Sequence, residues 1–229
     1  PSGPLVANWA ADAGTRSYAA FTQGSYDFSE RTHLDAGLRF NREEVDATFQ
    51  RFNRPATPPP GNAICLAVCA GQAEDDEVTG KLALRHDLAD RVMVFASFAT
   101  GYKGQGFDIS TGFTPGRAAN PVRPESSEAY EIGLKSRFLD NRLQLNLTAF
   151  VVDYNDFQAQ SVVALPDGSL NFQLNNVGKL RTRGLEVELQ ARPTGALTFD
   201  FAAAYRCAGA FLPLRELLHR ADGGTGLLR

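Results

Sequence analysis

The sequence has no long apolar run. Its 229 residues contain nothing near the roughly 18 consecutive apolar residues that a membrane-spanning helix requires, so a helical membrane protein is excluded. The first residues, PSGPLVANWAADAGTRSY, have no basic region followed by an apolar one, and we expect no secretory signal peptide there. A mean hydropathy of −0.23 does not decide the class, because a transmembrane β-barrel exposes only alternate residues to lipid.

Cysteine and histidine are both scarce. The chain has three of each, and three cysteines are too few for a disulfide framework. Cys65 and Cys69 lie close together in a stretch rich in Pro and Gly, and we expect them to form a disulfide in an oxidising compartment. Zinc is the alternative, but His33, His86 and His219 are scattered and supply no second ligand pair. We expect neither a metal site nor a cofactor.

An excess of positive charge is also lacking. The formal net charge is −3 and the isoelectric point is near 5.7, so the overall balance does not favour nucleic acid as a partner.

Motifs of catalysis are absent as well. The sequence contains no GxSxG, P-loop, HExxH or CxxC pattern, and we expect no enzyme. Glu186 and Glu188 are spaced as on one wet strand face, which favours a lumen lining over acid/base work. Gly101, Gly104 and Gly106 lack the strand–helix context of a phosphate cradle and favour a bent strand end or a mobile loop.

What the sequence does have is period-two alternation. In the segment 34–41 the apolar residues Leu34, Ala36, Leu38 and Phe40 alternate with mainly polar ones. The same pattern recurs over 143–149 and 185–190. It predicts antiparallel strands with one apolar and one wet face, since a helix would space apolar residues by three and four.

Counting such runs predicts about eight strands, with boundaries uncertain by a few residues. They lie near 16–27, 31–47, 76–87, 91–103, 126–138, 142–156, 173–191 and 196–206. Tight polar turns alternate with long connections near 48–75, 104–125 and 157–172. Strict alternation indicates two chemically different ends, as in outer-membrane barrels with short periplasmic turns and long outward loops.

Aromatic residues are concentrated near the ends of the predicted strands. Such rings are typical of the headgroup level of a membrane, so we expect them to form girdles there. Members of this set are Tyr18, Phe21, Tyr26, Phe28, Tyr130, Phe138, Phe150, Tyr154 and Phe157.

Three motifs carry a resemblance to a known family. The run ATGYKGQGF, which contains Gly101, Tyr102, Lys103, Gly106 and Phe107, resembles the "ATGYKxGGF" element of TonB-dependent receptor barrels. The segment that begins at Pro124-Glu125 and ends in DYNDFQ is similar to a hairpin of the same family. The third match is NNVGK followed by RGLEVE, and the three occur in the family's order over most of residues 76–205.

The resemblance implies an all-β, antiparallel, up-and-down transmembrane barrel in the outer membrane of a Gram-negative bacterium. Barrels of this class have about 22 strands, so residues 1–206 are expected to be a partial barrel of about eight strands. Its partners would be outer-membrane lipid, a small nutrient ligand and, only through a plug that is missing here, the TonB complex. The implied role is energy-coupled uptake of a scarce nutrient such as a ferric siderophore. We expect the segment alone not to transport.

Residues 207–229 depart from the pattern, because the alternation collapses into a basic, Leu-rich tail. We hypothesise a frameshift near Arg206, which would make Cys207 and His219 accidental residues. A short amphipathic helix over 211–218 is the alternative, although Pro213 would interrupt it.

The candidate ligand contacts are cations of the long connection after the fourth predicted strand. Lys103, Arg117 and Arg123 are placed to attract an anionic ligand such as a ferric chelate. Two other functions compete with a receptor. One is a self-contained eight-strand outer-membrane barrel that serves as an anchor or adhesin, and the other is a soluble ligand-binding β-barrel or extracellular module.

Overall fold

The computed structural model describes residues 9–51, 68–109, 113–164 and 170–211. These residues form ten β-strands and one five-residue helix. In chain order they are β1 (Trp9–Ser29), β2 (Thr32–Arg51), β3 (Val68–Ala89), β4 (Val92–Lys103), α1 (Pro115–Ala119), β5 (Glu125–Phe138), β6 (Leu143–Asn155), β7 (Gln158–Ala164), β8 (Leu170–Asn176), β9 (Lys179–Thr194) and β10 (Leu197–Phe211).

Eight strands form one antiparallel sheet in the order β1-β2-β3-β4-β5-β6-β9-β10, and β7 pairs with β8 in a separate hairpin. The predicted all-β, up-and-down architecture is confirmed. Within the described residues, β1 and β10 occupy the two edges of the sheet and do not pair with each other. The eight strands therefore form an open sheet and not the closed eight-strand barrel of the alternative.

One face of the sheet is apolar and uncovered. Cross-strand register places Phe40 opposite Val78 and Leu82 opposite Phe98 on this face, which we call the apolar face. Leu38 is 60% exposed and Ile132 is 63% exposed. An apolar surface that spans eight strands is far larger than soluble proteins tolerate, but it suits lipid.

The other face, which we call the polar face, carries charged and amide side chains. Arg85 Nε lies 3.0 Å from Asp35 Oδ2 on it, and Asn146 donates to Glu188 at 3.2 Å. Because residues two apart share a face, Glu186 lies on this side with Glu188. Both glutamates therefore lie where the wet strand face was predicted.

The short and long connections are segregated. The described turns 30–31, 90–91, 139–142 and 195–196 all lie at one end of the sheet, and the long connections lie at the other. The turn 139–142 is built from positive-φ residues, with φ of 51°, 54° and 65° at Leu139, Asp140 and Asn141. The predicted alternation of tight turns and long connections is confirmed.

Strands β1, β2 and β3 are 21, 20 and 22 residues long, whereas a tilted strand needs about 9–11 residues to cross a bilayer. On β2 the apolar face stops after Phe40. Arg42 comes next on that face and pairs with Glu74 at 2.5 Å and with Asp76 at 3.3 Å. These strands therefore continue past the apolar band, on the side of the long connections.

Two sequence predictions need correction. The strand predicted at 173–191 is two strands, β8 and β9, because the chain leaves the hairpin at Val177 and Gly178, where the glycine has a φ of 103°. The connection predicted at 157–172 contains β7 and the start of β8. In the aromatic set, Phe21, Phe150 and Tyr154 lie on the polar face, opposite Arg39, Gly184 and Leu180, and so do not belong to a girdle.

Strand β10 continues to Phe211, five residues past the boundary predicted at 206. Cys207 lies on this strand and is a free, exposed cysteine. His219 and the rest of the tail, 212–229, lie outside the described residues. The frameshift and the domain boundary stay predictions.

Candidate functional site

The candidate site is at the end of the sheet that carries the long connections. Its main element is the segment between β4 and β5, residues 104–124, which we call the rim loop. Gly106 and Val122 close the rim loop on itself through two backbone hydrogen bonds of 3.1 and 2.8 Å. The described residues past this bridge, 107–109 and 113–121, therefore begin and end at the same point.

Helix α1 lies within the rim loop, and its ends are capped by local sequence. The Thr114 hydroxyl accepts a hydrogen bond from the backbone N–H of Arg117, and Pro115 begins the helix with a preset φ. Asn120 ends it and donates its side-chain amide to the carbonyl of Gly116 at 2.8 Å. The short helix thus depends on side chains that satisfy its terminal backbone groups.

An ion pair fixes the interior of the rim loop. Arg117 Nη1 lies 3.1 Å from Asp108 Oδ2, and the two side chains are only 19% and 15% exposed. The same carboxylate oxygen accepts the backbone N–H of Leu174 on β8 at 3.0 Å. Arg117, which the sequence predicted as a ligand contact, is therefore engaged in holding the loop together.

The rim loop packs on the sheet through aromatic side chains. Phe49 and Phe113 are 0% and 1% exposed, and their rings are 5.9 Å apart. Trp9 stacks on Phe49 at 5.6 Å, and Phe107 meets Phe113 edge-on at 6.4 Å. This cluster is the main buried core of the described residues, so the core lies under the rim loop and not in the centre of the sheet.

A glycine permits this close approach. A Cβ at Gly71 on β3 would lie 2.6 Å from the carbonyl oxygen of Ala118 and 2.6 Å from Cε1 of Phe107. Any side chain at this position would push α1 and the Phe107 ring away from the sheet.

The other two predicted cations are more accessible. Lys103 is the exposed last residue of β4, opposite Glu125. Arg123 is 68% exposed and donates to Asp156 at 2.6 Å. The structure thus places Lys103 and Arg123 at the base of the rim loop and Arg117 within it.

The remaining motif residues have separate positions. Gly101 and Tyr102 lie near the end of β4, just before the rim loop, and the Tyr102 hydroxyl is buried. Gly106 forms the bridge with Val122, and Phe107 belongs to the aromatic cluster. The motif therefore builds the entry to the rim loop.

Three residues at this site were not singled out from the sequence. They are Glu125, Gln158 and Asn176, of which the first two are 8% and 7% exposed. Each lies inside one of the quoted motif matches, in Pro124-Glu125, DYNDFQ and NNVGK. Their presence in those motifs was the only available signal, because their partners are distant in sequence.

Of the two cysteines predicted to pair, Cys69 is disulfide-bonded. Cys65 lies outside the described residues, so the pairing of these two cysteines stays a prediction.

Metal ligands are not grouped in the described part of the chain: it holds no set of three or more His, Cys, Asp or Glu side chains placed for a metal ion. None of the helices in those ranges is long and apolar enough to cross a membrane.

The sequence and the fold both match known proteins. Residues 1–225 match the family described as TonB dependent receptor-like, beta-barrel. The pesticin receptor of Yersinia enterocolitica is 29% identical over 183 residues, which is 80% of this chain and 24% of the relative. The ferric-pyoverdine 358 receptor of Pseudomonas putida is 24% identical over 174 residues, or 76% of this chain and 19% of the relative.

Solved structures agree on the fold. The ferric yersiniabactin uptake receptor FyuA from Yersinia pestis aligns with a TM-score of 0.69 at 22% identity, covering 87% of this chain and 28% of that one. The siderophore receptor PiuA from Acinetobacter baumannii aligns with a TM-score of 0.63 at 20% identity, covering 86% and 26%.

This chain spans about a quarter of the length of the curated relatives it matches. Those relatives are named as transport receptors and not as enzymes. The family match over 1–225, the open antiparallel sheet and its uncovered apolar face agree with one another. The chain therefore belongs to the TonB-dependent receptor β-barrel family of outer-membrane proteins.

Proposed function

We propose that the rim loop end of this barrel section contributes to the uptake of a small, scarce nutrient, with a ferric siderophore as the leading class. The observation that carries the proposal is the rim loop itself, whose described residues are closed at the neck and anchored on the long-connection end of the sheet. Relatives named as receptors for ferric pyoverdine and for a siderophore support this class of ligand.

The charges at the base of the rim loop suit an anionic chelate. Lys103 and Arg123 are accessible cations. Each attracts a negatively charged ligand that comes within about one Debye length, the distance over which salt screens charges. Trp9, 45% exposed, offers an aromatic ring at the same end of the sheet. The two cations lie at the base of the rim loop, whereas Trp9 stacks on Phe49 farther out along the sheet, so charge and aromatic surface are both present at this end.

We expect the 229 residues not to transport by themselves. Strands β1 and β10 leave backbone N–H and C=O groups unpaired along both edges of the described sheet. Lipid cannot satisfy those groups, so open edges are not tolerated in a bilayer. Further strands would have to pair with them, and coupling to the TonB complex would run through the plug that the family implies.

Insertion separates this proposal from a self-contained barrel. The 229-residue chain, expressed alone in a Gram-negative bacterium, should aggregate and give no heat-modifiable β-rich band on a gel. The complete product of the gene in its corrected frame should give that band. Stable insertion of the 229 residues alone would support the anchor or adhesin alternative instead.

Uptake tests the ligand class. The complete protein, expressed in a strain without siderophore receptors, should import radioactive iron from a ferric siderophore only when TonB is present. The same uptake assay with a set of ferric siderophores, haem, cobalamin and glycans identifies the ligand class. Import of haem, cobalamin or a glycan in place of every ferric siderophore would replace the leading class with that ligand.

A further inference from the structure

Residues from three separate parts of the chain meet at the neck of the rim loop. The side-chain amide of Gln158, at the start of β7, donates to the carbonyl oxygens of Gly104 and Arg123, each at 2.9 Å. These two carbonyls belong to the beginning and the end of the rim loop. One buried amide therefore ties both strands of the neck together.

Asn176, the last residue of β8, adds a second tie. Its Oδ1 accepts the backbone N–H of Arg123 at 2.9 Å, and its Nδ2 donates to the carbonyl of the same residue at 2.9 Å. This is the pair of hydrogen bonds that a neighbouring strand residue would make. Nδ2 also donates to the carbonyl of Asp156 at 2.7 Å, which fixes the amide from its own side.

The two amides belong to one structural unit. Gln158 and Asn176 are direct cross-strand partners, and they form the first pair of the β7–β8 hairpin. The backbone N–H of Gln158 donates to the buried carboxylate of Glu125 at 2.7 Å, so the start of β5 holds the hairpin as well. The hairpin is anchored at its base to both ends of the rim loop.

The hairpin also holds the rim loop farther out. Asp108 accepts the backbone N–H of Leu174 on β8 while it pairs with Arg117 inside the rim loop. Neck and interior of the rim loop are thus both bonded to the hairpin. The contacts of Gln158 and Asp108 are largely buried, whereas the bonds between Asn176 and Arg123 lie at an exposed residue. Separating the two would leave buried donors and acceptors unsatisfied.

We infer that Gln158 and Asn176 are positioning residues, which bind the rim loop to the β7–β8 hairpin so that the two respond to a ligand as one body. This inference rests on the proposed function for its ligand, but the coupling itself does not need one. A ligand that contacts either element would order both. Glu125, Gln158 and Asn176 come from separate sequence motifs, and all three would serve to hold the rim loop to the hairpin.

The coupling is tested without ligand by hydrogen exchange on the complete protein in detergent. Gln158→Ala and Asn176→Ala should each speed exchange in residues 104–124 by about tenfold or more. Asn176→Asp keeps an acceptor for the N–H of Arg123 but turns a carboxylate oxygen toward the carbonyls of Arg123 and Asp156, so it should speed exchange at least as much as Asn176→Ala. Gln160→Ala, which removes an exposed amide from the same hairpin, is the matched control and should change nothing.

Exchange that rises only in the hairpin, with 104–124 unchanged, would overturn the coupling. Where Gln158→Ala prevents folding, as shown by loss of the heat-modifiable band, the Asn176→Ala variant decides the matter in its place.

The positioning role is tested with ferric yersiniabactin and ferric pyoverdine as probes. A bound probe should protect 104–124 and 158–176 together in the unaltered protein, and Gln158→Ala should weaken binding by about tenfold. Protection of one element alone, or unchanged affinity in a loosened variant, would overturn the role. Failure of the unaltered protein to bind either probe would count against the proposed ligand class, while ligand-free exchange would still decide the coupling.

Discussion

The carboxylate of Asp108 lies 3.1 Å from the guanidinium of Arg117, and neither side chain is more than a fifth exposed. Arg117 looks in sequence like a free cation of a long loop. In the structure it forms an ion pair inside that loop. Breaking the ion pair should therefore destabilise the loop.

Asp108→Asn should loosen the rim loop by about 1–3 kcal/mol, because it replaces a charged partner of a largely buried guanidinium with a neutral amide. Hydrogen exchange over 104–124 measures the change. Asp90→Asn is the control, since Asp90 is 95% exposed and its pair with Arg31 spans 3.9 Å. Surface pairs of that kind contribute little. Equal effects of the two substitutions on hydrogen exchange over 104–124 would show that Asp108 does not stabilise the rim loop.

Gly71→Ala should displace α1 from β3. The added Cβ would lie 2.6 Å from the Ala118 carbonyl oxygen, and the strain should destabilise the packed loop by about 1–3 kcal/mol. Exchange over 113–120 reports it. At Gly24 on β1 a Cβ meets nothing within 4 Å, so Gly24→Ala is the matched control. Unchanged exchange in the Gly71 variant would show that the loop is not packed against this strand.

Ala96→Arg and Ser97→Arg should differ although the residues are adjacent. Ala96 is on the apolar face, where an arginine near the bilayer centre costs about 2–4 kcal/mol. Ser97 faces the other way, and its hydroxyl lies 3.4 Å from Glu131, which could pair with the new cation. The amount of heat-modifiable protein in outer membranes compares the two. A greater loss with Ser97→Arg would reverse the assignment of the faces.

The disulfide of Cys69 should link it to Cys65. Peptide mapping without reduction should show the linked pair, and an alkylating reagent should label Cys207, which is free and exposed. A linked peptide containing Cys207 would refute the predicted pairing.

Lys103→Gln should weaken binding of an anionic ferric chelate by roughly 0.5–1 kcal/mol and more at low salt, as expected of an accessible charge. Lys135→Gln is the control, because Lys135 lies on the polar face near the turn end, with its ammonium 5.5 Å from the centre of the Phe95 ring. Titration at two ionic strengths separates them. A Lys103 effect that is equal at both salt concentrations would argue against an electrostatic contact.

Some of the fold could be read from the residues in order. Alternation in segments such as 34–41 predicted the strands and their two faces, because the side-chain period of a strand is two whatever it pairs with. The division into tight and long connections followed from turn residues, which act locally.

The break between β8 and β9 could not be read in this way. Alternation continues on both sides of Gly178, and nothing local shows that Asn176 pairs back to Gln158 while Lys179 starts a strand of the main sheet. Sheet membership depends on partners far away in the chain, which a periodic pattern does not specify.

The sequence by itself determined that the main strands have one apolar and one wet face and where the tight turns lie, since those properties come from local periodicity and turn chemistry. Only the tertiary structure decided what the polar residues of the long connections do. Arg117 became an internal ion pair, and Gln158 and Asn176 became ties across the neck of the rim loop, because their partners are brought together by sheet register and not by sequence spacing.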